Sequence, residues 1–388
     1  MTMPMEHPLE DDRCSTNHLS DVCDEAVGLL MTYRCNLDCT YCYISKKQDL
    51  DMTLEIAKNI LRPLLSKSGG IVDITFMGAE TLMAESVIRP LVEWAEAGTW
   101  RRLFRFLGST NGTLLTGELK RWLTRHRHSL VLGLSYDGLP SVQQSNRGCA
   151  SEIDVDFFIQ TWPMQPVQMT INSSSVSQMA EGVIYLLERG AIVHPNVAYE
   201  RTQWNKKAIA EYGRQLNRLI DYYIQHSDRP RIMQFTHNLT EYALNLETDS
   251  VQPEMCGAGN GFQVFDVDGS SYPCHLLSPL VLAGEKLEMI KSGKLDQTTD
   301  FSDPRCRCCP YRSACSTCLA CNYIYRDSFQ KRDATHCEIM RMDVKAFVKM
   351  EVLRLSAQNK FTPEDALEVK AIHKLIQYDH SANTRKFR

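Results

Sequence analysis

The sequence predicts an α/β protein: a partial (β/α)6 barrel, then a small cysteine-rich region, then C-terminal helices. Three observations predict it. Short apolar runs alternate with helical patterns about six times over residues 28–235, as expected of parallel βα units. Polar residues gather just after those runs, at the carboxyl ends where ligand sites in such folds are built. From about residue 250 the chain becomes rich in Gly, Pro and Cys. Such a segment is too poor in apolar residues for a large core and depends on metal for its fold.

The elements follow in order. Residues 1–26 read as a polar lead-in. Val27–Thr32 is a buried strand that runs straight into a cysteine loop. Thr53 caps a helix whose apolar positions include Leu54, Ala57, Ile60 and Leu61. Val72–Phe76, Arg105–Leu107 and Leu130–Leu134 are the next strands, ending at Gly78-Ala79-Glu80, Ser109-Thr110-Asn111-Gly112 and Ser135-Tyr136-Asp137-Gly138. Val167–Ile171 leads to Asn172 and a helix over Met179–Leu187, which Gly190 stops before a strand at Ile192–Ala198. Barrel units thus fill 27–235, and 236–255 is a bridge. The cysteine-rich part, 256–342, has a strand at Gly261–Phe265 and a hairpin turn at Asp266–Gly269. Residues 343–388 return to helix, with Val344, Phe347, Val348, Val352 and Leu355 on one face and a second helix starting at Thr362-Pro363.

Composition narrows the function. A net charge of −4 and a pI near 6.3 give no polyanion-binding surface, so nucleic acid is not an expected partner. No apolar run is long enough to cross a bilayer, and Met1 to Asp12 lack the apolar core of a signal peptide. The expectation is a cytoplasmic protein with no membrane partner. Fifteen cysteines, an odd number in a long chain without an export signal, fit a disulfide framework poorly. Cys14, Cys23 and Cys149 read as ordinary buried thiols, whereas the other twelve cluster, which points to metal.

The first cluster, Cys35-Asn36-Leu37-Asp38-Cys39-Thr40-Tyr41-Cys42, has C-x3-C-x2-C spacing. Three thiolates on one loop hold three irons of a cubane and leave the fourth open, the same logic that separates catalytic from structural zinc. The alternative is a zinc site or a group of reduced thiols, but zinc takes a fourth Cys or His and none follows closely.

This loop resembles that of the radical S-adenosylmethionine (radical SAM) superfamily, including the aromatic Tyr41 before the last cysteine. The resemblance implies a [4Fe–4S] cluster on Cys35, Cys39 and Cys42 and S-adenosyl-L-methionine on the open iron. One-electron reduction by an external flavodoxin- or ferredoxin-like donor would then yield a 5′-deoxyadenosyl radical. The cofactor would carry the chemistry, and the protein would orient it and exclude water. Met77-Gly78-Ala79-Glu80 resembles the family's GGE motif, with Ala79 replacing the second glycine, and implies that Gly78 and Glu80 meet the cofactor's amino group. Ser109 and Asn111 fall where the family binds the ribose and methionine end, and Ser135 and Asp137 match the next strand end, with Ser135 the favoured contact. Arg147 stands where an arginine pairs with the cofactor carboxylate.

Cys256 and Cys274 bracket Gly269 as C-x12-G-x4-C, followed by Cys306, Cys309, Cys315, Cys318, Cys321 and Cys337. The pattern resembles a SPASM domain, so that the likeness spans residues 28–342. It implies two auxiliary [4Fe–4S] clusters. Cys306, Cys309, Cys315 and Cys337 would hold the distal one; Cys256 and Cys274 would hold the nearer with Cys318, Cys321 or both. With both, the nearer cluster is closed and passes electrons; with one, it keeps an open iron. Cys308 is spare. The alternative from spacing alone is a zinc ribbon or treble clef.

Members of the SPASM family act mainly on peptides, and the resemblance implies maturation of a ribosomally made precursor peptide. The favoured product is an intrapeptide cross-link, a cyclophane-type carbon–carbon bond to an aromatic ring; thioether formation and sulfatase maturation to formylglycine are alternatives. In the sulfatase-maturing group an aspartate base follows the cysteine matched by Cys274, and here His275 stands there, a candidate proton acceptor or a structural residue. The lead-in is shorter than the leader-binding domain some relatives carry. A leader is therefore expected to dock on the C-terminal helices or on a separate partner. The rivals from other classes are an iron–sulfur electron carrier and a zinc-rich interaction module.

Overall fold

The structure, a computed structural model, describes residues 23–44, 47–149, 153–198, 200, 202–237, 239, 257–258, 261–293, 303–306, 309, 311, 315, 317–358 and 360–385. Val27 to Tyr33 are buried one after another. Such a run without alternation belongs to a parallel strand covered on both faces. It forms β1 (Cys23–Thr32), which pairs in parallel with β2 (Ile71–Gly78). β3 (Leu103–Thr110) and β4 (Leu130–Leu134) extend the sheet in parallel. β5 (Val167–Ile171) and β6 (Val193–Val197) form a parallel pair of their own. The step from β4 to β5 is a single parallel bridge, Ser135 to Gln168, with the Tyr136 amide donating to the Gln168 carbonyl at 2.9 Å.

Helices α1 (Leu54–Ser66), α2 (Glu85–Ala97), α3 (Gly117–Arg125), α4 (Pro140–Arg147), α5 (Val155–Thr161) and α6 (Met179–Glu188) lie between successive strands. Thr53 caps α1 through the Ile56 amide at 3.2 Å, as its sequence predicts. Leu61, Leu65, Ile74, Phe76, Phe106, Leu132 and Trp122 fill the sheet–helix core. α7 (Lys206–Gln225) follows β6. These six parallel strands are the expected partial barrel, with β6 unpaired to β1.

The open edge of β1 is where the structure departs from a simple domain succession. β7 (Phe262–Phe265), expected as part of a separate hairpin, pairs in parallel with β1 from Ala26–Phe262 to Leu29–Phe265. It then turns through Asp266–Gly269 into the antiparallel β8 (Ser271–Tyr272). Gly269 takes φ +86°, which the tight turn requires. Unpaired strand edges are unfavourable, and β7 covers that of β1.

The cysteine-rich part adds α8 (Gly284–Lys291) and α9 (Leu319–Arg326), and the chain ends in α10 (Ala334–Ser356) and α11 (Pro363–Arg385). In α10, Val344, Phe347 and Leu355 are buried as expected, and Val348 packs partly against the core. Val352 is not on that face and remains 40% exposed. At about 100° per residue it lies roughly 80° from Val344, outside an apolar stripe centred between Phe347 and Leu355. Among the described residues no helix is long and apolar enough to cross a membrane.

Candidate active site and auxiliary cysteine sites

The first cysteine loop leaves the carboxyl end of β1 and is pinned on several sides. The Arg34 guanidinium donates to Asp51 at 2.9 Å and to the Met83 carbonyl at 2.7 Å. The buried Tyr33 hydroxyl donates to both Asp266 oxygens at 2.7 and 2.9 Å, tying the loop to the β7–β8 turn. Asn36 accepts from Asn111 at 2.9 Å and donates to Thr113 at 2.7 Å, and the Thr40 amide donates to the Asn146 carbonyl at 2.9 Å. Cys35, Cys39 and Cys42 are all half-buried. Burial pushes up the Cys35 thiol and takes Cys39 to about 11, and the neighbouring thiols add to both. Ionised together the three would repel each other, and a bound metal cation would relieve that repulsion.

Around that loop stand the strand ends. Gly78 takes φ +144°, and a Cβ there would meet the Thr32 carbonyl oxygen at 2.4 Å, so this turn admits only glycine. The Ala79 amide donates to Thr32 and the Glu80 amide to Arg34. The Glu80 carboxylate, 3% exposed, accepts from Thr110 Oγ1 at 2.6 Å, the Leu82 amide at 3.0 Å and the Asn111 amide at 2.8 Å. Burial raises its pKa and these donors oppose the rise. Glu80 therefore braces β2 against β3. Asn111 is buried, Ser135 half-buried and Ser109 exposed.

Asp137 is the hub of the next layer. Its fully buried carboxylate accepts from Tyr41 Oη at 2.5 Å, Asn146 Nδ2 at 3.0 Å, Arg147 Nη2 at 3.0 Å and the Thr170 amide at 3.0 Å. Arg147 also lies over the Tyr41 ring, 5.4 Å from its centroid. Burial works against the Arg147 charge, but Asp137 more than offsets it and raises the pKa. The Arg147 Nε is buried and has no hydrogen-bond partner. Asn172 joins the network by donating to Asn146 at 2.9 Å. The roles of Asn36, Thr110, Asn146 and Thr170 were not legible in the sequence, because each is an ordinary polar residue whose partner is distant in the chain.

The later cysteines form two groups. Cys318 caps α9, where its sulfur accepts from the Cys321 amide at 3.4 Å. The Cys321 thiol also donates to it, which lowers the pKa of Cys318 and raises that of Cys321. Tyr43 stands beside this pair: its hydroxyl is pushed up by burial and then by the thiols of Cys42, Cys274, Cys321 and Cys318. Its ring lies 5.7 Å from that of His275, whose pKa burial lowers to about 4, leaving a neutral imidazole at pH 7. Cys318 and Cys321 therefore share one place, facing Cys274; Cys256 lies outside the described residues. In the second group, burial pushes Cys315 up to about 12, with further contributions from Cys337, Cys306 and Cys309. Cys308 lies outside the described residues.

These thiol groups suit soft, multi-iron ligation.

A partial parallel barrel with a three-thiol loop at the end of its first strand defines a radical SAM domain. Residues 29–138 match the model of the Radical SAM superfamily, a family whose cofactors are a [4Fe–4S] cluster and S-adenosylmethionine, so this part of the chain carries a radical SAM domain. The chain is 25% identical over 210 residues to an uncharacterized protein of Methanocaldococcus jannaschii, covering 50% of this chain and 71% of that one. It is 27% identical over 122 residues to a cysteine-type anaerobic sulfatase-maturating enzyme of Clostridium perfringens, covering 29% of this chain and 32% of the relative. In fold it is similar to anSMEcpe with bound AdoMet, at TM-score 0.63 and 17% identity over 90% of this chain and 99% of the other. SuiB of Streptococcus suis bound to precursor peptide SuiA gives TM-score 0.57 at 17% identity, over 81% and 76% of the two chains.

Proposed function

We propose that this enzyme matures a ribosomally made precursor peptide and joins two of its side chains, with a cyclophane-type carbon–carbon bond to an aromatic ring as the product. The observation that carries the reading is that Tyr43, next to Cys42 of the three-thiol loop, also stands against the second thiol group of Cys274, Cys318 and Cys321, with its ring 5.7 Å from that of His275. Cys35, Cys39 and Cys42 hold the catalytic cluster in this reading. Cys274, Cys318 and Cys321 hold the nearer auxiliary cluster with Cys256, and Cys306, Cys309, Cys315 and Cys337 hold the distal one. Bound there, the cluster and S-adenosylmethionine supply a carbon radical that removes hydrogen from an unactivated carbon, and the auxiliary clusters supply an exit for the remaining electron.

The protein's own residues position and enclose. Gly78, Glu80, Ser109, Asn111 and Ser135 line the strand ends toward the cofactor. The unpartnered Arg147 Nε offers a buried donor to its carboxylate. Asp137 fixes the Arg147 and Tyr41 side chains while neutralising the arginine. An external one-electron donor such as a flavodoxin or ferredoxin reduces the site, and a leader peptide docks on the C-terminal helices or on a separate partner.

Mass spectrometry of candidate precursor peptides coexpressed with the enzyme tests the reading. Loss of two hydrogens per modified site, with tandem fragments that place the bond on an aromatic side chain, is the expected result. Formylglycine from a Cys or Ser would favour sulfatase maturation, the reading that the Clostridium relative supports and that His275 at the aspartate position argues against. A bond through sulfur would make the enzyme a thioether former.

A further inference from the structure

The distal cysteine group contains a cation whose side chain forms no ion pair with a carboxylate among the described residues. Arg332, in the link between α9 and α10, is only 3% exposed. Its Nη1 donates to the Cys315 sulfur at 3.1 Å and to the Cys315 carbonyl at 3.2 Å. Its Nε and Nη2 are buried without a hydrogen-bond partner. Asp303, the acid that meets its backbone amide, is already taken. It binds the Arg305 guanidinium at 2.6 to 3.1 Å through both oxygens and meets Arg332 only through the latter's backbone amide at 3.1 Å. The Arg332 carbonyl is held in turn by Arg305 Nη2 at 2.8 Å, so the backbone that aims the side chain is clamped from both ends. His336 also faces the site, 3.8 Å from the Cys315 sulfur.

A buried guanidinium with open donors costs several kcal/mol unless an anion meets it. Here the side chain it faces is a thiol, with Nη1 on the Cys315 sulfur at 3.1 Å. Four thiolates around a [4Fe–4S] core carry net negative charge, which grows by one on reduction. Charge and hydrogen bonds at the sulfurs are among the terms that set such a potential.

We propose that Arg332 is a positioning and potential-setting residue of the distal cluster, donating to its sulfurs through the free Nε and Nη2 and favouring its reduced form. The inference rests on the assignment of Cys306, Cys309, Cys315 and Cys337 to that cluster. Its consequence is direction: a cluster held at higher potential is the thermodynamic end point for an electron that leaves the substrate.

The test uses the full chain carrying Cys35→Ala, Cys39→Ala and Cys42→Ala, so that auxiliary signals stand alone. Cys315→Ala added to it identifies the distal signal in an EPR-monitored redox titration. If Cys315→Ala changes neither iron content nor spectrum, the cluster assignment fails and the inference with it. With the signal assigned, Arg332→Gln is expected to lower the distal potential by at least tenfold in the redox equilibrium, about 59 mV for one electron, while Arg332→Lys keeps most of it. An unchanged potential in Arg332→Gln, with the signal intact, overturns the inference alone. Should Arg332→Gln lose the distal iron, retention in Arg332→Lys supports the role of the cation, and equal loss in both overturns it.

Discussion

Replacing Asp137 by Asn keeps the shape of the hub and removes its charge. Arg147 then becomes a buried cation without a counter-charge: in the native pair the two side chains are 9% and 0% exposed and 3.0 Å apart. A surface pair is worth about 0–1 kcal/mol, but breaking a buried one costs about 3–5 kcal/mol, because the survivor stays desolvated. The amide also offers hydrogens to Tyr41 Oη or Asn146 Nδ2, both of which donate to the carboxylate in the native structure. The loss is thus on the order of a third of a typical domain's stability of about 5–15 kcal/mol. Urea unfolding of Asp137→Asn, Arg147→Met and the double variant measures it. Each single change is expected to cost about 3–5 kcal/mol, and the double variant less than their sum by up to about 3 kcal/mol, since it leaves no lone charge. Strict additivity, or a cost below about 1 kcal/mol for Asp137→Asn, would refute the hub as a buried ion pair.

Gly78→Ala places a Cβ 2.4 Å from the Thr32 oxygen at φ +144°; we expect a loss of about 1–3 kcal/mol and a large fall in S-adenosylmethionine affinity by calorimetry, and an unchanged affinity would contradict it. Changing Cys35, Cys39 and Cys42 together to Ala should abolish 5′-deoxyadenosine formation while auxiliary iron remains; retained cleavage would refute the site. Cys318→Ala and Cys321→Ala should lose equal amounts of iron, since the two thiols occupy one place; iron loss from only one would mark a cluster with an open iron. Burial pushes the Asp343 carboxyl from 3.8 to about 7, although the Tyr212 hydroxyl bonded to it at 2.6 Å favours ionisation. The unfolded chain therefore ionises first as pH rises from about 4 to about 7, and stability falls across that window by at most about 4 kcal/mol. In Asp343→Asn this fall should vanish from urea midpoints measured against pH.

The strands were legible because burial on both faces leaves an unbroken apolar run, as in Val27–Thr32, and because each run ends in small polar residues. The three-thiol loop was legible because cluster ligation constrains spacing within one short segment. The Asp137 hub was not, since its donors come from the first loop, α4 and β5, and no local pattern records a polar contact between distant segments. Arg332 was hidden for the same reason, in a stretch already rich in Arg and Lys. Val352 was placed on the wrong face because the stripe was drawn from apolar identity alone, whereas Asp343 and Glu351 occupy buried positions of α10.

The pairing of β7 with β1 bears most directly on function. A four-residue strand carries no code for its partner, and the sequence led us to expect two modules joined by a bridge. The structure instead gives them one sheet. Tyr33, two residues before Cys35, is bonded to Asp266 in the turn after β7, and Cys274 follows β8 closely. The first loop and Cys274 therefore follow strands of a single hydrogen-bonded sheet, β1 and β8, with β7 between them, and a flexible linker does not set their separation. Under the proposed function, electron exit from a peptide held between them would require a fixed gap, because a donor and acceptor that drifted apart would leave the radical to side reactions with solvent. Sheet pairing meets that requirement with backbone hydrogen bonds alone. The intervening space is then left to side chains such as Tyr43 and His275, which can vary with the substrate.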